Sequence, residues 1–200
     1  MSNGYQYIDL KHDYINQISG ILKNLPNLTE ESDLLFFESS AVSKRLEELH
    51  TNPIKITNSS SLLEIHHHLF QDVYEWAGKV RTVNISKDGK PFFEGERFQM
   101  GFRYIDSLII EFDKIKPDNQ QAICEKLAEI LDNINFRHPF REGNGRAQRE
   151  FIRTLAFQKG YTLNLNPPNN KNIYNQYMEG TINSNLSVLA ELIRNEIKLM

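Results

Sequence analysis

Apolar residues recur along this chain at the spacing of an α-helix, and that pattern most restricts what it can fold into. Phe98, Phe102, Ile105, Ile109 and Phe112 are separated by four, three, four and three positions, which places them on one helical stripe. Pro117 limits that helix on its C-terminal side. A second stripe runs through Ile123, Leu127, Ile130 or Leu131, and Ile134. Upstream, Leu35, Val42, Leu46 and Leu49 line a helix that must stop near Asn52-Pro53. Ser61-Leu62-Leu63-Glu64 has the form of a capping box, followed by Ile65, Leu69 and Val73 on one face of a helix ending by Gly78. Further on, Ala147, Phe151 and Leu155 share a face with Gly160 at its end, Asn164 to Pro168 reads as a loop, and Leu186 to Ile197 is again amphipathic.

One segment breaks the helical pattern. Lys79 to Phe93 holds β-branched residues around Asp88-Gly89, the signal of a β-hairpin. Two strands alone are marginal, so this hairpin must lean on the helices. With 200 residues and neither repeats nor a composition break, the expected architecture is mainly α, seven or eight helices with one hairpin, in a single domain.

Composition removes several functions. Lys and Arg number 23 against 26 Asp and Glu, a net charge of −3, which argues against a dedicated nucleic-acid or membrane binder. The longest apolar run, Leu34 to Phe37, is far short of a membrane span, and no secretory signal is visible. Cys124 stands alone, so no disulfide framework or thiolate metal site is available, and the expected compartment is a reduced cytoplasm.

The chemistry concentrates in residues 138–149, His-Pro-Phe-Arg-Glu-Gly-Asn-Gly-Arg-Ala-Gln-Arg. Gly143-Asn144-Gly145 opens a new helix, and the unpaired N–H groups of a helix start form an anion site suited to phosphate. Arg146 and Arg149, three apart, can clamp phosphate oxygens. Glu142 is a hard oxygen ligand beside that site, and Mg²⁺ needs only one or two carboxylates when phosphates supply the rest. His138 suits a general base at neutral pH. Together these residues point to group transfer from a nucleoside triphosphate. No Walker A pattern occurs.

The blander readings apply elsewhere. Consecutive helical residues splay by about 100°, so His66-His67-His68 cannot converge on one ion, and they are expected as solvated or capping histidines. Arg137 and Arg153 read as a solvated basic face. Trp76 and Cys124 read as core.

The stretch resembles the signature of Fic-domain proteins, H-x-F-x-[DE]-G-N-G-R-x-x-R, at His138, Phe140, Glu142, Gly143, Asn144, Gly145, Arg146 and Arg149. The resemblance extends to Ile65 through Gly78, like the helix leading into the family's hairpin flap, and to Val83-Asn84-Ile85-Ser86-Lys87, like the flap itself. It divides the chain into N-terminal helices over 1–58, a core over 59–166 with flap 79–93 and motif 138–149, and C-terminal helices over 167–200.

The resemblance implies a protein adenylyltransferase that moves AMP from ATP to a Ser, Thr or Tyr hydroxyl of a target protein. His138 would be the base, and Glu142 would hold Mg²⁺. Gly143, Asn144, Gly145, Arg146 and Arg149 would bind phosphates, and Phe140 would be structural. The flap residues Val83, Asn84, Ile85, Ser86 and Lys87 would dock the target by strand addition. Both glycines of the Gly-Asn-Gly run are present, which favours AMP over phosphoryl transfer; a UMP, phosphocholine or phosphate donor, or a non-catalytic nucleotide-binding partner module, are the alternatives. Adenine contacts are expected from Tyr174 to Gly180. The family's inhibitory pattern [ST]-x-x-x-E-[GN] does not occur, Asn175 with Glu179-Gly180 being a near miss. That absence suggests a bacterial cytoplasmic toxin held by a small separate antitoxin that supplies the inhibitory Glu.

Overall fold

The computed structural model describes residues 5–7, 13–87, 90–92, 97–165 and 170–200. The apolar stripes become helices α3 (Phe98–Lys114) and α4 (Gln120–Arg137). They join α1 (Glu31–Thr51), α2 (Ser60–Phe70), α5 (Asn144–Gln158), α6 (Lys171–Ile182) and α7 (Leu186–Glu196). Among the described residues the architecture is thus mainly helical, with seven helices, as expected.

Helix α4 is central and packs against α3, α5 and α7. Ile123, Leu127, Ile130, Leu131 and Ile134 are all but completely buried, as is Cys124. Each such side chain contributes roughly 1.5–3 kcal/mol relative to exposure. Asparagine caps three helices: the side chains of Asn119, Asn170 and Asn185 accept backbone N–H groups of α4, α6 and α7.

Several boundaries differ from the sequence reading. The box at Ser61 and Glu64 does not form. Helix α2 starts two residues earlier, with Ser59 rather than Ser61 at its N-cap, and the Asn58 and Asp106 carboxamide and carboxylate oxygens accept the N–H groups of Ser60 and Ser59 instead. The same helix stops at Phe70, and residues 71–78 form turns, so Val73 is buried outside it. In α1 the buried stripe is Leu34, Glu38, Val42 and Leu49, while Leu35 is exposed, because the helix turns its acidic Glu38 inward.

The hairpin is shorter than its sequence signal. Strand β2 (Ile85–Lys87) pairs with β3 (Lys90–Pro91) in the register Ser86–Pro91 and Lys87–Lys90. The expected turn at Asp88-Gly89, and Phe93, lie outside the described residues. No strand forms over 80–84, because the Arg81 N–H is spent on the Pro139 carbonyl at 2.8 Å. Strand β1 (Tyr5–Tyr7) adds to the other edge of β2, giving the order β1-β2-β3, all antiparallel. A second pair, β4 (Tyr161–Leu163) with β5 (Ile197–Leu199), ties the C-terminus to the end of α5. Of the loop expected from Asn164, residues 164 and 165 are irregular and the remainder lies outside the described residues. No helix among the described residues is long and apolar enough to cross a membrane.

Candidate active site

The site is built where α4 hands over to α5. Helix α4 ends at Arg137, and His138 takes the left-handed conformation with φ +45°. A non-glycine residue there is strained by about 1–2 kcal/mol, so its surroundings must hold it. Pro139 cannot continue the helix. The chain turns back through Phe140, whose N–H donates to the Asn144 side-chain oxygen at 2.9 Å while the Asn144 amide donates to the Phe140 carbonyl at 2.8 Å. The Asn144 side chain therefore closes the loop, and only its backbone N–H, together with that of Gly145, precedes the first bonds inside α5 and remains for an anion.

Gly143 is required twice over. Its φ is +78°, and a Cβ there would lie 2.3 Å from the Phe70 ring. Phe70 forms the floor of the cradle. It stacks on His66 at 4.6 Å between ring centroids, and the Arg146 guanidinium lies 4.6 Å over its ring. Phe140 is fully buried and stacks on the opposite side of the cluster, 3.7 Å from the His66 ring.

His138 itself is buried, 5% exposed, with Nδ1 3.3 Å from the Asn135 carbonyl oxygen. A carbonyl only accepts, so Nδ1 carries the proton and Nε2 keeps the lone pair that a base needs. From the flap, Phe92 stacks on the imidazole at 4.0 Å. Glu142 lies at the other end of the loop. Its Oε1 accepts the Gly143 N–H at 2.9 Å and sits 3.8 Å from Arg146.

The two arginines expected to clamp phosphate have different surroundings. Arg146 forms an ion pair at 2.6 Å with Glu38, a buried carboxylate that also accepts the Tyr74 hydroxyl. Burial first, and then the Glu38 charge, holds the Tyr74 phenol above its ordinary range, so it stays a donor. Arg149 instead lies 5.0 Å over the Tyr177 ring, beside Gly145, and meets no carboxylate within 4.0 Å among the described residues. The buried Arg149 Nε and Gln148 Oε1 make no hydrogen bond, while the Gln148 amide donates to the Tyr177 hydroxyl. Arg146 and Arg149 also edge a cavity of about 220 Å³ that continues along Leu46, His50, Arg153, Phe157 and residues 162–165.

Three expectations are corrected. His66 is neither solvated nor a cap: it is fully buried, and burial pushes its imidazole down to about 3. Arg137 is 6% exposed and bonds the Asn133 carbonyl and side chain. Arg153 pairs with the buried Glu150 at 2.6 Å. Of the flap residues, Ile85 is buried, Val83 and Ser86 are half-buried and Asn84 is exposed. Strand β2 has β1 and β3 on its two edges, which leaves a docking strand the outer edge of the hairpin rather than β2 itself.

Tyr177, inside the stretch expected to supply adenine contacts, lies against Arg149 and Gln148. Glu38, His66 and Arg81 reach the site without a place among the residues expected there. Glu38 carried a signal, an acid in register with Leu34 and Val42 on an apolar stripe. His66 and Arg81 carried none, because their partners in the loop are 76 and 57 positions away.

A model of the Fic/DOC family matches residues 56–156, which contain the whole of this loop, the cradle floor and the hairpin. The chain belongs to the Fic/DOC family. It is 32% identical over 151 residues to the protein adenylyltransferase VbhT of Bartonella schoenbuchensis, covering 75% of this chain and 32% of that protein. It is 31% identical over 144 residues to the probable protein adenylyltransferase y4lH of Sinorhizobium fredii, covering 72% of this chain and 74% of that one. The chain thus spans about a third of the first relative and about three quarters of the second. Among solved structures, the BepC protein of Bartonella tribocorum with bound AMPPNP superposes with a TM-score of 0.81 at 21% identity, over 94% of this chain and 98% of that one. That likeness establishes the Fic fold.

Proposed function

We propose that the chain is a protein adenylyltransferase that transfers AMP from ATP to a Ser, Thr or Tyr hydroxyl of another protein. The observation that carries this reading is one loop holding a buried histidine, its Nδ1 facing the Asn135 carbonyl, beside a helix N-terminus opened by Gly143. The names of the relatives VbhT and y4lH and the AMPPNP bound to BepC support it.

His138 Nε2 takes the proton of the target hydroxyl as that oxygen attacks the α-phosphorus. The bond from the α-phosphorus to the bridging oxygen breaks, and pyrophosphate leaves with the electron pair. The N–H groups of Asn144 and Gly145 receive the charge on the phosphate oxygens, with the α5 dipole behind them. Arg149 is placed for the outer phosphates, and Arg146, oriented by Glu38, keeps its remaining donors for the same task.

Among the described residues no three His, Cys, Asp or Glu side chains cluster to hold a metal. Glu142, a single carboxylate beside the cradle, fits a Mg²⁺ ion that takes its other ligands from phosphates and water. Bound there, the ion would neutralise charge on the phosphates.

A separate antitoxin is the regulator consistent with the missing inhibitory pattern. The cavity edged by Arg146, Arg149 and Arg153, with Leu46, Phe157, Leu163 and Leu165 in its walls, suits an amphipathic segment carrying an acid. The single buried Cys124 fits work in the reducing bacterial cytoplasm.

Labelled ATP and Mg²⁺ with a bacterial lysate should mark one or a few proteins, each gaining about 329 Da. His138→Ala should remove the label. No transfer by the native chain, or an added mass of another donor, would replace this reading.

A further inference from the structure

Two buried side chains outside the catalytic loop reach its two ends from the segment that leads into the flap. The first is Arg81. Its backbone N–H donates to the Pro139 carbonyl at 2.8 Å and its Nε to the His138 carbonyl at 2.9 Å, and a further N–H points to the Arg137 carbonyl at 3.5 Å. Its guanidinium lies 4.9 Å over the Phe98 ring and also bonds the Val83 carbonyl. Arg137 and His138 close α4, so their carbonyls are among those a helix leaves without an internal partner. A guanidinium there satisfies those carbonyls and sits at the negative end of the helix dipole. It also fixes the one residue of the loop held in a strained conformation, His138 at φ +45°.

The second is His66. The Gly78 N–H donates to its Nδ1 at 2.8 Å, and its Nε2 lies 3.0 Å from the Glu142 carbonyl oxygen. An N–H only donates and a carbonyl only accepts, so both ring nitrogens are committed and the ring is a single neutral tautomer. Stacking between Phe70 and Phe140 fixes its plane. His66 therefore ties the entry to the flap, at Gly78, to the end of the loop that carries Glu142 and Gly143.

We infer that Arg81 and His66 are positioning residues that divide the loop between them: Arg81 aligns the base His138, and His66 aligns the cradle at Glu142 and Gly143. The inference rests on the adenylyltransferase reading above. Because both ties start from residues 78–83, a target docking on the hairpin presses on a strap already fastened to both ends of the catalytic loop.

The division predicts opposite kinetic signatures. Arg81→Met should lower kcat on the order of 10- to 100-fold with the KM for ATP within about twofold of native. His66→Leu should raise the KM for ATP and the dissociation constant of a fluorescent ATP analogue by about tenfold, with the smaller effect on kcat. Arg81→Lys and His66→Gln each keep a donor and should recover part of the loss; they carry the same test if the first variants do not fold. Each variant is checked for an intact thermal transition. Variants that each lower kcat and raise the KM for ATP by similar factors, or conservative variants no better than the others, would mean a merely structural role and overturn the division. Native enzyme and His138→Ala are run beside them. If native enzyme transfers nothing, the adenylyltransferase reading itself has failed; if it transfers and Arg81→Met keeps native kcat, only the positioning role has failed.

Discussion

The cradle and the flap face each other across His138 but are built to different standards. The cradle is two long helices joined by a loop whose side chains are stacked, capped and buried: Phe70, His66 and Phe140 form one aromatic pile, and Asn144 clamps the turn. The flap is a strand of three residues against one of two, with a third of three residues from the N-terminus. Under the proposed function one side would fix a nucleotide's phosphates with preformed donors, which a rigid scaffold does best. The other would add a strand to whatever backbone is presented, which short strands allow. The difference teaches where precision is stored: in the packed loop, with the flap tied to it through Gly78 and Arg81.

The largest effect on activity should come from the base. His138→Ala should reduce transfer on the order of 10²- to 10⁴-fold while ATP binding persists, measured by label incorporation and by titration with a fluorescent analogue. Loss of binding together with transfer would show that cradle and base are not separable.

The largest effect on stability should come from the cradle floor. Phe70→Ala should cost about 3–5 kcal/mol in urea denaturation, since it empties the space under Gly143, His66 and Arg146. Gly143→Ala should also destabilise, by about 1–3 kcal/mol, through its positive φ and the clash with Phe70, and should abolish nucleotide binding.

Acid should loosen the cradle before the rest. The His66 imidazole is held near 3 in the fold against about 6.5 when unfolded, so the unfolded state binds the extra proton. Its contribution is intact above pH 6.5 and is lost as pH falls toward 3, at up to roughly 1.4 kcal/mol per pH unit. Urea midpoints between pH 6.5 and 5, above the carboxylate titrations, check the slope, and His66→Gln should flatten it.

The smallest effect should come from the flap side. Phe92→Ala removes a ring stacked on His138 and should cost under about 1.5 kcal/mol of stability. Transfer to protein should fall while the affinity for ATP holds. Equal losses of both would erase the contrast between the two sides.

Much of the helical frame was legible because a helix prints its buried face as a period in the sequence. The stripes of α3 and α4 appear as read, and so does the start of α5 at Asn144. The hairpin was legible through its β-branched residues, but its length was not, because Arg81 gives its N–H to Pro139 instead of a ladder. Strands β1, β4 and β5 were not read at all, since three residues are too few to show alternation and their partners are distant.

The loop chemistry was also local. His138, Glu142, Gly143 and Arg149 lie within twelve positions, so spacing alone brings them together. What only the tertiary structure decided is how each is held. The surroundings of Arg146 depend on Glu38, 108 positions earlier, and the tautomer of His66 depends on Gly78 and Glu142. A sequence pattern records which face of an element is buried. It does not record which buried polar group finds which partner, because that pairing is set by where the helices cross.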